Sequence, residues 1–356
     1  MEIFWAVVLV FMLTTFIVMD GADFGAGIIH LFFAKTEKDK KSIVNAIGPF
    51  WDGNEVWLIA GGGVLFFAFP TLYASSFSGF YLPLIMVLWL LIFRAIGLEL
   101  RSMVDNDLWK IIWDKAFGIS SLLLALFFGA ALGNVVRGVN LGGIENGISK
   151  YESIYFFTPL WNENFSPLNI HQGVLDWFTV IIGIIAIVAL GIHGAAWIIF
   201  KTNSNINTQL KNMIQKLVIS LIFLILISIA AWFYIEPNAL ENYFRYFILW
   251  IFPFGAIIGI IGLIRIKSYK NDSTGFIFSS LFIVSSFAST AAALFPVLLP
   301  STNDINPSLT IYNTAASEYS LNVGFVWWVI AFILVLGYFY FVHYIFKGKL
   351  DKLDYH

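Results

Sequence analysis

The sequence predicts an all-α, polytopic membrane protein with nine transmembrane helices, and three observations carry that prediction. The 356 residues are 59% hydrophobic and only 12% charged, whereas soluble domains carry about a quarter charged residues. Apolar runs of about 20 residues or more recur along the chain, each long enough to cross a hydrocarbon core at 1.5 Å per residue. The runs do not alternate apolar and polar positions, which excludes a membrane β-barrel.

The spans follow in order. The first, about 3–33, stops before Lys35 and is punctuated by Gly21, Gly25 and Gly27, where a bend or close helix packing is expected. The second, about 46–70, contains WDGNEVW and a Gly61–Gly63 triplet, which reads most simply as a close-packing surface. The third, about 77–99, contains Arg94 and stops at Arg101. The fourth, about 115–137, runs from Lys115 to Arg137, and the fifth, about 172–200, stops at Lys201. The sixth to ninth are about 214–235, 245–265, 274–297 and 321–346, the last closed by Lys347. Residues 1–356 form one integral membrane domain. Its longer loops, about 138–171 and 298–320, are rich in Asn, Ser, Gly and Pro and are expected to cap a partner or fold over the outer face.

Charge placement gives orientation. Lys35, Lys38, Lys40 and Lys41 follow the first span, and Arg101, Lys110 and Lys115 the third. Lys201, Lys211 and Lys216 follow the fifth, Arg265, Lys267 and Lys270 the seventh, and Lys347, Lys349 and Lys352 the ninth. The alternate segments hold only Arg137, Lys150 and Arg245. Positive-inside placement therefore predicts an external N-terminus and a cytoplasmic C-terminus. Met1-Glu2 opens a long apolar run with no basic segment, unlike a cleavable signal. The absence of cysteine removes disulfides, thiolate metal sites and cysteine nucleophiles. No basic, aromatic-interleaved surface points to nucleic acid.

Four acids lie within spans. Asp20 and Asp23 are in the first, and Asp52 and Glu55 in the second; each pair has i, i+3 spacing on one helix face. Asp20 and Asp23 come roughly 25–30 Å along the first helix, in its cytoplasmic half, and Asp52 and Glu55 come six to nine residues after the start of the second. Arg94 lies near the same level on the third helix and is the natural counter-charge. Two readings stand side by side: a buried ion-pair network that fixes helix register, or a station for protons entering from the cytoplasm. Of the five histidines, His30, His171, His193, His343 and His356, no two share the close spacing on one face that favours ligation, and each reads as hydrogen-bonded or snorkelling.

Specific segments then bring a family into view: DGADFGAGI (20–28), GPFWDGNEVW (48–57) with its continuation to Pro83, FRAIGLELR (93–101), FFGAALGNVVRG (127–138), LGIHGAAW (190–197) and FPVLLPSTNDINPSLTIYNTAASEYSLNV (295–323). Through these the chain resembles subunit II of the cytochrome bd-type quinol oxidases. The resemblance implies a nine-helix fold of two four-helix bundles plus one helix, in a bacterial or archaeal cytoplasmic membrane. It implies a heterodimer whose partner, subunit I, carries two b haems and one d haem, with small single-helix accessory subunits also possible in the family. The complex would oxidise quinol and reduce O2 to water, generating a proton-motive force without pumping. This chain would contribute proton uptake and support, with no axial haem ligand, and family members can hold a structural quinone. On the matching positions, Asp52 of WDGN becomes the first choice for the proton pathway, with Glu55, Asp20 and Asp23. Arg94 becomes the charge partner, and Trp51 and Trp57 become packing aromatics at the subunit contact. A proton-coupled transporter and a purely structural scaffold are the rival readings; the first predicts inverted repeats with helices broken at the midplane.

Overall fold

The computed structural model describes residues 1–141, 157–169, 172–302 and 308–350, and the backbone alone of 143–145 and 148–150. His171 and His356 lie outside the described residues. The helices are α1 (Glu2–Phe32), α2 (Glu37–Ile47), α3 (Trp51–Ala68), α4 (Pro70–Gly79), α5 (Tyr81–Leu100), α6 (Asp107–Arg137), α7 (Trp177–Lys201), α8 (Ile206–Ile235), α9 (Glu241–Arg245), α10 (Ile251–Ile264), α11 (Ser273–Leu294) and α12 (Glu318–Ile345). Eight of these, α10 taken with the preceding turn from Phe247, are long and apolar enough to cross a membrane. The α3–α4 pair is bent by 119° and makes a ninth if counted as one span.

The second predicted span needs correction at both ends. The Thr36 side chain accepts from the Asp39 N–H, while Asp39 accepts from the Thr36 N–H; this reciprocal cap starts α2 as a separate short helix. The Gly48-Pro49 step ends it, because proline has no N–H to extend a helical ladder. At the far end Pro70 forces Phe69 out of helical geometry (φ −132°, ψ 61°) and opens α4 at its first position. Residues 77–79 consequently belong to α4 rather than to the third span.

Helices α1, α3, α5 and α6 form one bundle and α7, α8, α10 and α11 a second, joined where α1 and α6 pack on α7; α12 lies outside both, against α3. Helix α1 runs unbroken through its glycines. They serve packing instead: a Cβ on Gly25 would stand 1.9 Å from the Leu190 carbonyl oxygen of α7, and one on Gly194 would stand 2.2 Å from the Gly25 carbonyl carbon. The two backbones therefore touch. Of the triplet 61–63, Gly61 packs against Leu13, while a Cβ on Gly62 or Gly63 would meet nothing among the described residues.

Parts of the two long loops meet at one end. Gly138 ends α6 at φ +87°, a conformation that favours glycine. Val139 N–H then donates to the Pro300 carbonyl and Thr302 N–H to the Val139 carbonyl, both at 2.9 Å. A short hairpin of β3 (Val297–Leu299) and β4 (Leu309–Thr310) flanks that contact, and a backbone hairpin of β1 (Gly143–Glu145) and β2 (Ile148–Lys150) lies in the first loop.

The opposite end is closed by the tail. Lys349 Nζ donates to the carbonyls of Ile199 (2.8 Å) and Thr202 (3.0 Å) at the end of α7 and to Asp272 Oδ2 (2.8 Å), while Leu350 N–H donates to the Lys201 carbonyl at 2.7 Å. Partial burial opposes ionisation of Asp272, but hydrogen bonds from Lys349 and Lys211 overcome it and hold the carboxyl below its usual range. The pair is thus at full strength above the free aspartate value of 3.8 and weakens only as pH falls through the lower folded value. Asp272→Asn is expected to raise hydrogen–deuterium exchange across 347–350 at neutral pH, by about 1 kcal/mol or less of docking energy for these half-exposed pairs. The wild-type pattern, corrected for intrinsic exchange, should not change between pH 8 and 5.

Candidate functional site

The second half of α1 is enclosed on every side: residues 20–30 are all buried. This is what permits Asp20 and Asp23 to sit in an apolar helix, since each is shielded from lipid by α3, α6 and α7. Arg94 projects from α5 into the same space. Its Nη1 donates to Asp20 Oδ1 at 2.6 Å and its Nη2 to Glu55 Oε1 at 2.5 Å, and its guanidinium lies 4.7 Å from the Phe24 ring centroid. Asp23 Oδ2 accepts from Asn54 Nδ2 at 2.8 Å. Three carboxyl groups from α1 and α3 thus converge on one guanidinium. Ionising all three would leave two charges uncompensated in a low-dielectric interior. Asp20 Oδ2 and Asp23 Oδ1 are both buried. The cluster has one opening: Asp20 is fully enclosed, whereas the Glu55 side chain keeps 26% of its surface exposed.

The structure brings together Asp20, Asp23, Glu55 and Arg94 and leaves Asp52 apart. Asp52 is the second residue of α3, not six residues into a span, and it is exposed. Its Oδ1 accepts the Gly53 N–H at 2.7 Å, satisfying a free donor of the helix start. The shift follows from α2 being a helix of its own. Trp57 is buried between Phe11 of α1 (6.2 Å) and Phe339 of α12 (5.3 Å). Trp51 is half-buried against the core.

Two further charge centres escaped the sequence reading. Asp114 of α6 accepts from Lys40 (2.8 Å) and Arg101 (2.5 Å), with His30 Nε2 at 3.2 Å. Glu37 of α2 joins them: partial burial opposes its ionisation, but hydrogen bonds from Arg101 and Lys40 bring the carboxyl below its usual range. This ties α2 across the ends of α1, α5 and α6. Toward the other end, Arg137 is buried in an ion pair with Asp176, which itself caps α7 by accepting from the Phe178 and Thr179 N–H groups. A Thr36-x-x-Asp39 cap is legible in sequence, but nothing local marks Asp114 or Asp176 as the partner of a distant arginine.

The described histidines are each held by groups of this chain. His193 Nδ1 lies 2.7 Å from Ser279 Oγ and Nε2 2.8 Å from the Val18 carbonyl, so both ring nitrogens are engaged. His343 Nδ1 is held by the Phe339 carbonyl at 2.9 Å and His30 faces Asp114. Among the described residues no three His, Asp or Glu side chains gather as metal ligands.

Comparison with known proteins supplies the context for this geometry. The family model described as cytochrome bd terminal oxidase subunit II matches residues 1–346. The chain is 29% identical to the probable cytochrome oxidase subunit 2 of Haemophilus influenzae, covering 98% of this chain and 94% of that one. It is 29% identical to cytochrome bd-I ubiquinol oxidase subunit 2 of Escherichia coli K12 (99% and 95%) and 25% to cytochrome bd ubiquinol oxidase subunit 2 of Bacillus subtilis (98% and 97%). In structure it is similar to the bd oxidase from Geobacillus thermodenitrificans, with TM-score 0.62 at 12% identity over 97% of this chain and 98% of that chain. An all-α membrane fold, a match along almost its whole length and an acidic cluster on the matching segments agree: the chain belongs to the cytochrome bd terminal oxidase subunit II family.

Proposed function

We propose that this chain is the non-haem subunit of a heterodimeric quinol oxidase and that it carries protons toward the oxygen-reducing site of its partner. The surplus of three carboxyl groups over one guanidinium around Arg94 is the observation that carries the reading. Such a cluster holds more acids than counter-charge, and acids at membrane depth are suited to relaying protons. Asp52 is the entrance, exposed on the first turn of α3. Glu55, one turn further on the same face, is the half-open gate, and Asp20 and Asp23 are the enclosed stations. Positive-inside charge placement puts that entrance toward the cytoplasm. One exception in the charge tally, Arg137, is a buried partner of Asp176 rather than a loop charge, which favours the same orientation.

The partner is a haem-bearing subunit holding two b haems and one d haem, and the overall reaction takes quinol and O2 to quinone and water. It docks along the outer face of α3, where Val56, Ile59, Gly63 and Phe66 follow Asp52 as an exposed stripe. That stripe carries Glu55 at its edge, and an ionisable group facing bare lipid is unfavourable. A Cβ on Gly63 meets nothing, so a partner helix can approach closely there.

The test is quinol oxidase turnover in membranes, normalised to haem absorbance. Asp52→Asn and Glu55→Gln are each expected to lower turnover by about 10² with the haem bands unchanged. Wild-type turnover in both, with normal assembly, would leave the acids as a structural ion-pair network and the proton role lost.

A further inference from the structure

We propose that the flanks of α8 bind the phosphate headgroup of an anionic phospholipid, held by Lys216 with Lys35 on one side and Lys267 on the other. Two adjoining cavities support this. One, of about 590 Å³, lies between the end of α1 and α8 and is lined by Lys35, Phe33, Asn212, Lys216 and Leu217 among others. The other, of about 480 Å³, lies between α8 and the segment following α10 and is lined by Asn212, Gln215, Lys216, Ile219 and Lys267. Both volumes fall in the range of small-molecule sites, and Asn212 and Lys216 belong to both walls.

Three lysines line these two cavities. Lys35, Lys216 and Lys267 make no ion pair among the described residues, whereas Lys211 and Lys349 at the same end are both held by Asp272. Each cavity therefore carries two lysines without an ion-pair partner among the described residues, Lys216 being common to both, and such a lining attracts an anion from outside.

Position identifies the anion as a lipid's. From Leu217 to Ile235 α8 carries no charge, a stretch that rises about 29 Å and so matches the hydrocarbon thickness. Lys216 is thus the last charge before the hydrocarbon, at headgroup level. Lys35 follows the end of the α1 run and Lys267 the end of the α10 run, so all three mark the same boundary. Each cavity combines cationic and amide side chains with apolar ones, Phe32, Phe33 and Leu217 in the first and Ile219 in the second. That combination is the profile of a phospholipid, from phosphate to acyl chain. A soluble phosphate would gain nothing from the apolar wall.

The experiment is native mass spectrometry of the intact complex, delipidated and titrated with phosphatidylglycerol or phosphatidylcholine of the same acyl chains. Each lysine near an anionic headgroup contributes about a fivefold preference, so phosphatidylglycerol should bind at least about twentyfold more tightly. Lys35→Gln/Lys216→Gln/Lys267→Gln should bring the two lipids to equal affinity. Millimolar inorganic phosphate should leave the phosphatidylglycerol in place. Equal binding of the two lipids by the wild type overturns the proposal whether or not the triple variant folds. So does an undiminished preference in a folded variant, and so does displacement by inorganic phosphate, which would mark a soluble-anion site.

Discussion

Arg94→Gln is expected to remove most of the assembled complex from the membrane. The substitution takes away the only guanidinium contacting Asp20 and Glu55, at 2.6 and 2.5 Å, and leaves three acids without their counter-charge. Breaking a buried pair from one side costs about 3–5 kcal/mol, a large part of the about 5–15 kcal/mol that holds a typical domain together. Haem absorbance per milligram of membrane protein should fall several-fold, since a loss of even about 1–2 kcal/mol changes cellular abundance by that much. Arg94→Lys should be intermediate: it keeps the charge, but an ammonium cannot reproduce the forked contact to two carboxylates on different helices. Combining Arg94→Gln with Asp20→Asn and Glu55→Gln removes the unpaired charges and should recover assembly but not turnover. Normal amounts of assembled complex in Arg94→Gln alone would show that the acids need no counter-charge, and the charge-count argument would go with it.

The second large effect is steric and lies where the two bundles join. Gly25→Val and Gly194→Val each place a side chain into opposing main chain, which cannot rotate away. Overpacking ordinarily costs about 1–3 kcal/mol, occasionally more. With the Leu190 carbonyl oxygen 1.9 Å from a Cβ on Gly25, the upper end is expected, because α1 and α7 must separate along a buried seam. Gly191→Ala is the control on the same helix, since its Cβ meets only Ile28 at an ordinary 3.9 Å. Thermal unfolding followed by size-exclusion fluorescence should show early loss of the monodisperse peak for the two valine variants and none for the alanine. Equal melting of all three would mean that the α1–α7 contact does not limit stability.

The parts of this fold that sequence reveals are those set by local chemistry. Charge-free runs of about 20 residues located most spans, and Arg94 was matched to acids because a lone charge at that depth has no other solution. What sequence concealed depends on how far each helix is rotated about its axis. Asp52 and Asp20 look alike in a hydropathy trace, yet one is exposed and the other fully enclosed. Gly61 and Gly62 are adjacent, yet only the first has a neighbour. The second predicted span takes in residues 46–50 because AIGPF is apolar. The cap at Thr36 and the Gly48-Pro49 stop outweigh that hydropathy and turn α2 into a short separate helix. The Asp114 and Arg137–Asp176 centres join residues tens of positions apart, and only the packed bundle brings them together.

The tail gives the chain a schedule. The carbonyls of Ile199, Lys201 and Thr202 end α7, but their donors, Lys349 and Leu350, come about 150 residues later. At a synthesis rate of about 5–20 residues per second, α7 waits roughly eight to thirty seconds for its last hydrogen bonds. During that interval the second bundle is inserted with one end unfinished. Lys349 and Leu350 therefore act as a latch on α7 that closes only after the second bundle and α12 have been made, and a bulky insertion placed directly after Leu350 would meet the structure at that latch.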